Sequence, residues 1–188
     1  MTLNQPQPFP MNTFIIAAIT LDGKIAKYTE HNSYSWTCAK DKKFFVKKTK
    51  EAGVVIVGRK TWEIISKPLE GRLLVVICKE PKKYAKEFVR SLGAKQAGEV
   101  EFTSLPPKQI LQDLEARGYQ SAAVAGGAEI YSLFLREKLI DELYLTVHPL
   151  IFGQGIDFVS DIGVQDFEIS SVKKFGSKCC LLHVRYPV

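Results

Sequence analysis

Asp41 opens a stretch that reads as a helix, and Phe45 and Thr49 follow at four and eight positions. Residues so spaced share one helix face. In an amphipathic helix, Phe45 and its apolar neighbours turn to the interior and draw Asp41 to the inner edge of the first turn. There a carboxylate feels opposed influences: desolvation raises its pKa, while the positive helix end lowers it. The same residue is also an ordinary acid at a helix start, worth a few tenths of a kcal/mol up to about 1. Spacing alone leaves both readings open.

Two glycine turns carry the second signal. Gly58-Arg59-Lys60-Thr61 and Ala125-Gly126-Gly127-Ala128 each follow an apolar run and precede a helical one. A helix that starts after a strand presents unpaired N–H groups and a positive dipole end, which suit phosphate oxygens. Arg59, Lys60 and Thr61 add two cations and a hydroxyl, a cradle for a multiply phosphorylated cofactor. Neither turn is a G-x-G-x-x-G or a Walker A loop, and either alone also serves as a plain helix-on-sheet turn. Two at the strand ends of one sheet favour a ligand site.

The elements that must position these residues follow from hydrophobic periodicity. Thr13–Thr20, Val54–Val57, Leu73–Cys78 and Ala122–Ala125 are short apolar, largely β-branched runs that read as buried strands, as does a longer one over Leu139–Leu150. Gly93–Phe102 holds room for a short strand. Helices are predicted over Ala39–Glu51 with Thr37 as N-cap, and over Lys60–Ile65, Pro81–Ser91, Pro107–Arg117 and Glu129–Leu135. Ile25–Trp36 reads as a mobile loop. Phe167–Phe175 and Cys179–Tyr186 form a terminal hairpin about Gly176-Ser177. The expectation is one α/β domain over residues 13–188: a mostly parallel central sheet, helices on both faces and an antiparallel C-terminal hairpin. Residues 1–12, with three prolines and no basic or long apolar segment, read as a loosely held extension rather than a secretory signal.

Composition narrows the function classes. The chain has 188 residues, 46% hydrophobic and 24% charged, so a packed core is expected. No apolar run is long enough for a transmembrane helix. Four cysteines and three histidines occur without a C-x-x-C pair, so no metal site is expected, and reduced thiols imply a cytoplasmic location. The net charge of +6 is a lysine-rich surface or an attraction for an anionic ligand. The basic residues form no stripe interleaved with aromatics, which argues against a nucleic-acid module.

Taken together, these segments resemble dihydrofolate reductase from Phe14 to Tyr186. Ile16-Ala17-Ala18 through Leu21-Asp22-Gly23-Lys24-Ile25 resembles that family's first strand and loop. Trp36, Asp41, Phe45 and Thr49 reproduce the spacing of its loop tryptophan, catalytic acid, ring-stacking phenylalanine and pocket threonine. Gly58-Arg59-Lys60-Thr61-Trp62-Glu63, Val124 to Tyr131, and Leu143-Tyr144-Leu145-Thr146 match its cofactor turns and late strand.

The resemblance implies NADPH-dependent reduction of dihydrofolate, or of a related pterin or pyrimidine, with antifolates such as methotrexate or trimethoprim as inhibitors. It makes Asp41, Trp36 and Thr146 catalytic. Asp41 would offer a bidentate fork to a 2-amino-4-oxo pterin and favour protonation at N5, with hydride passing to C6. Ile16, Ala17, Phe45, Thr49 and Ile65 would line the substrate, and Arg72 would take the carboxylate of its tail. The cofactor would lie along Ala18, Ile25, Gly58, Arg59, Lys60, Thr61, Cys78 and Lys79, and along Ala125, Gly126, Gly127, Ala128, Glu129, Ile130 and Tyr131.

Several segments depart from that family. The Asp22–Trp36 loop is longer than in typical bacterial members, which implies a different lid. Ala128 stands where a third glycine is usual and Glu129 where an arginine is usual. Val147 to Gly155 is more similar to the homologous reductase domain of riboflavin biosynthesis, which acts on a ribosylaminopyrimidine phosphate, and Leu21 to Ala26 also fits that relative. The chain lacks that pathway's deaminase zinc motif, so a bifunctional enzyme is not expected.

Overall fold

Parallel strands buried on both faces need continuous apolar runs, and the centre of this protein is made of them. The computed structural model describes residues 11–92 and 99–187. In chain order the strands are β1 (Asn12–Thr20), β2 (Lys24–Ala26), β3 (Val54–Gly58), β4 (Leu73–Ile77), β5 (Val100–Thr103), β6 (Ser121–Val124), β7 (Glu142–His148), β8 (Ile156–Asp157), β9 (Glu168–Lys174) and β10 (Cys180–Arg185). The helices are α1 (Ala39–Ala52), α2 (Arg59–Ile65), α3 (Pro81–Leu92), α4 (Pro107–Ala116) and α5 (Ala128–Arg136). Eight strands form one sheet in the order β5-β4-β3-β6-β1-β7-β10-β9, and β2 pairs with β8 apart from it. Pairings from β5 through β7 are parallel, and β10 alone runs against its neighbours. The α/β architecture expected from the sequence is the one observed.

Side-chain alternation divides the core between the two faces. Phe14, Ile16 and Ala123 pack with Ala52, Phe44 and Phe45 of α1 and its end. Further along, Val55, Val57, Leu74 and Val76 meet Trp62 of α2 and Phe88 of α3. On the opposite face Ile15, Val54, Ile56, Val75 and Val124 cover Ile110, Leu111 and Leu114 of α4, and Ile130, Phe134 and Leu135 of α5.

Some expected boundaries change. The expected extension lies outside the described residues as far as residue 10, but Met11 is fully buried and Asn12 already belongs to β1. The first part of the expected 93–102 strand likewise lies outside them, and β5 begins at Val100. The cap of α1 is Cys38, whose sulfur accepts from the Asp41 N–H, rather than Thr37. The 25–36 loop contains β2 and a single 3-10 turn over Ser33–Ser35. Leu139 and Ile140 are not strand: Leu139 N–H closes the end of α5 on Phe134 O, and β7 starts only at Glu142. No described helix is long and apolar enough to cross a membrane.

Candidate functional site

In an open parallel sheet, ligands gather beyond the carboxyl ends of the strands. Here Thr20, Gly58, Val124 and His148 mark those ends in neighbouring strands. The first turn of α1 delivers Asp41 to the same rim, with its side chain only 13% exposed. Burial raises its pKa above the usual carboxylate value, against hydrogen bonds from the Thr146 and Thr37 hydroxyls and the charges of His148 and Lys42. Thr146 is 1% exposed and is held in register between Ala18 of β1 and Leu181 of β10. Its hydroxyl is therefore a fixed donor rather than a mobile one.

Around the carboxylate lie groups with unspent hydrogen-bonding capacity. His148, 2% exposed, places Nε2 at 4.0 Å from Asp41 Oδ2. Burial lowers its pKa, against the attraction of Asp41. Trp36 leans edge-on against His148 and Phe152, with ring centroids 5.1 and 5.4 Å away. Trp36 Nε1 and His148 Nε2 are buried without a hydrogen-bond partner among the described residues. An unmade bond at such a position is costly unless a ligand completes it.

The wall behind α1 carries a buried cation. Arg72 is 9% exposed and its Nη1 donates to Thr49 Oγ1 at 2.7 Å, while Nε donates to Glu70 O at 3.2 Å. Thr49 Oγ1 in turn donates to Phe45 O at 2.7 Å. Glu70 pairs with Lys50 instead, and among the described residues Arg72 makes no ion pair. Desolvation lowers its pKa, as expected of a guanidinium without a counter-ion. Phe45 and Ile65 are both half-buried but serve different clusters, Phe45 with Phe14 and Ile65 with Trp62. Ile16 and Ala17 are buried in the sheet.

The two glycine turns meet. Gly58 N–H donates to Gly126 O at 2.7 Å, and Ala125 N–H to Ile56 O at 2.9 Å. A Cβ on Gly58 would stand 2.8 Å from Ile130 Cγ1, so only glycine fits that contact. Gly126 has φ +132, and a Cβ there would meet Thr61 Oγ1 at 3.3 Å. The Gly126-Gly127 peptide bond is cis. Neither α2 nor α5 has a side-chain cap, so their first N–H groups stay available. Tyr131, 4% exposed, donates its hydroxyl to Ile16 O at 3.1 Å. Burial pushes its pKa up, with the charge of Asp41 adding to the effect.

The expected cations are less free than the sequence implied. Arg59 is engaged by Glu63 at 2.7 and 2.8 Å, one turn along α2. Lys60 faces Glu129 at 3.9 Å, a loose pair that bridges the two turns. Lys79 is exposed beyond β4, next to buried Cys78. Ala18, Ile25 and Ala128 are partly buried near the rim. His148, Cys38, Cys179 and Phe152 were not anticipated. His148 had a readable signal, because it sits two residues after Thr146 and so on the same strand face.

The RibD C-terminal domain family matches residues 13–181. The chain belongs to that family. A Caenorhabditis elegans protein named, provisionally, as a dihydrofolate reductase is 30% identical over 172 residues, covering 84% of this chain and 85% of that one. Among solved structures, the Thermotoga maritima diaminohydroxyphosphoribosylaminopyrimidine deaminase/5-amino-6-(5-phosphoribosylamino)uracil reductase superposes with TM-score 0.74 at 24% identity. The match covers 95% of this chain and 57% of that one. A pyrimidine reductase-like protein from Corynebacterium diphtheriae gives TM-score 0.74 at 15% identity, covering 95% and 92%. As a RibD C-terminal domain, the protein is an oxidoreductase of the dihydrofolate reductase-like kind. The family match favours the riboflavin-biosynthesis relative over dihydrofolate reductase itself, which the sequence resemblance put first and which these matches do not specifically support.

Proposed function

We propose that the protein is an NADPH-dependent reductase of a ribosylaminopyrimidine phosphate. The observation that carries the reading is the rim of the sheet itself: one desolvated carboxylate, Asp41, shares it with two abutting glycine turns and lies on the helix that also anchors Arg72. The turns fit a dinucleotide, since Gly58 and Gly126 let the two turns abut closely at the rim and α5 offers uncapped N–H groups. Bound there, NADPH would supply the hydride. Thr61, Lys60 and Arg59 would hold its phosphates, the two cations partly released from Glu129 and Glu63.

The substrate's chemistry matches what remains. An aminopyrimidinone edge presents N–H donors to the two oxygens of Asp41, which Thr146 and Thr37 hold in place. Arg72, a buried guanidinium without an acidic partner among the described residues, suits the phosphate. In its open form the ribosylamine is a carbon–nitrogen double bond: hydride adds to the carbon and a proton to the nitrogen. Trp36 Nε1 and His148 Nε2, both unpartnered, are placed to order the water that carries this proton.

Reduction of dihydrofolate is the second reading, favoured by Phe45 beside Asp41 and by the name of the C. elegans relative. Thermal shifts with NADPH, NADH, the ribosylaminopyrimidine phosphate, dihydrofolate, methotrexate and trimethoprim separate them, because a ligand that binds only the native state stabilises it. The expected result is stabilisation by NADPH over NADH, and turnover of the pyrimidine. Turnover of dihydrofolate alone, with methotrexate binding, would transfer the assignment. No shift with either nucleotide would remove the reductase reading.

A further inference from the structure

Beside the carboxylate lies a cluster whose two thiols the reductase reading leaves unused. The sulfurs of Cys38 and Cys179 and a ring nitrogen of His148 all lie within 4.8 Å of one another. They come from three separate elements: Cys38 caps α1, His148 ends β7, and Cys179 immediately precedes β10. The antiparallel register pairs Cys180 with Val147, which carries Cys179 alongside His148. Asp41 Oδ2 is 4.0 Å from His148 Nε2, and the Asp41 N–H points at Cys38 Sγ at 3.4 Å.

We propose that Cys38, Cys179 and His148, with an oxygen of Asp41 as the fourth donor, form a binding site for a zinc-like divalent cation. Two thiolates, an imidazole and a carboxylate are the donor set that borderline-soft, tetrahedral cations prefer over magnesium or calcium. Ligand atoms around one such ion stand about 3.5–3.8 Å apart, given bonds of about 2.0–2.3 Å. The two sulfurs and the ring nitrogen therefore have to draw in by up to about 1.3 Å, with the Asp41 oxygen coming in from its place beside His148. The second observation is independent of the spacing: His148 Nε2 is buried and has no hydrogen-bond partner among the described residues. Cys38 and Cys179 are free thiols, Cys179 buried and Cys38 half-buried on the exposed side. Cys180 lies on the neighbouring position of the same segment and so faces away.

An ion held there takes an oxygen that Asp41 needs for substrate, so cation and substrate exclude each other. This consequence rests on the role proposed for Asp41; the binding site itself does not. The test is titration of the phosphine-reduced, full-length protein with cobalt(II), in the absence of nucleotide or substrate. One equivalent is expected to give thiolate-to-cobalt charge-transfer absorption and the intense visible bands of tetrahedral cobalt, both abolished by added zinc. Cys38→Ser and Cys179→Ser should each weaken binding by more than about a hundredfold, since even groups that merely orient ligands matter by up to about that factor. Cys180→Ser should leave it unchanged. Thermal unfolding without metal shows whether each variant folds; Cys38→Ser, at the less buried position, answers alone if Cys179→Ser does not. Weak octahedral spectra in the wild type, or tetrahedral spectra that survive Cys38→Ser, would overturn the proposal. A protein that binds cobalt in this way yet reduces no substrate would sink the reductase reading and leave the cation site standing.

Discussion

Asp41 and Asp141 are two desolvated carboxylates at opposite ends of one sheet, and they have opposite fates. Burial raises the pKa of each. At the amino end of the strands, Asp141 Oδ2 accepts from Thr13 N–H at 2.7 Å and Asp141 N–H returns a bond to Thr13 O at 2.8 Å. That reciprocal pair ties β1 to the start of β7 and uses the carboxylate up. At the carboxyl end, Asp41 is held by side-chain hydroxyls and lies 4.0 Å from an imidazole nitrogen that has no hydrogen-bond partner among the described residues. The same cost of burial fixes a joint in one place and, in the other, leaves a carboxylate for the proposed site. Parallel strands explain which end is which: chain crossovers and uncapped helix starts collect at the carboxyl rim.

The strongest way to break this contrast is Asp41→Asn. Loss of the carboxylate that orients the substrate lowers kcat/KM by about a hundredfold or more, and steady-state kinetics with the accepted substrate reads it. Retention of wild-type kcat/KM would dissolve the distinction between the two ends. Next in size is Arg72→Leu. Hydrogen bonds to a charged group contribute about 1.5–3 kcal/mol, so KM for the anionic substrate should rise by about ten- to a hundredfold with kcat little changed. An unchanged KM would move the substrate anion elsewhere. Asp141→Ala should do the reverse of Asp41→Asn: Thr13 N–H loses its acceptor, which costs about 1–3 kcal/mol in denaturant unfolding, while the folded fraction keeps its kcat.

What could be read from the sequence was whatever the chain encodes locally. Asp41, Phe45 and Thr49 share a face because a helix repeats every 3.6 residues, and both glycine turns announce themselves by sitting between an apolar run and a helix. Strand centres such as Val54–Val57 were equally plain. What stayed hidden depends on register between distant segments. Arg72 reaches Thr49 across 23 positions, and Cys179 reaches His148 only through the β7–β10 pairing. The α1 cap lies one residue on from Thr37, at Cys38, whose sulfur accepts from the Asp41 N–H. Arg59 looked like a free phosphate ligand until Glu63, one turn on, took it.

The smallest effect is also the one that sharpens the comparison most, because there the two carboxylates should agree. A carboxyl whose pKa is higher in the native state than in the unfolded chain binds its proton more tightly when folded. Unfolding stability then falls as pH rises from the unfolded carboxylate value towards the raised native one, and is level above it. Both residues have pKa values raised chiefly by burial, so both penalise the native state at neutral pH. Asp41→Asn and Asp141→Asn should each raise Tm relative to wild type at pH 7, and the gain should shrink as pH drops through the ordinary carboxylate range. In Asp141→Asn the new amide oxygen can still accept from Thr13 N–H, so this variant, unlike Asp141→Ala, isolates the charge. Matching pH profiles of stability, with catalysis lost in only one of the two, would separate what burial does to a carboxylate from what its neighbours do with it. A gain in Tm that persists unchanged below the carboxylate range would mean that packing, and not desolvated charge, produced it.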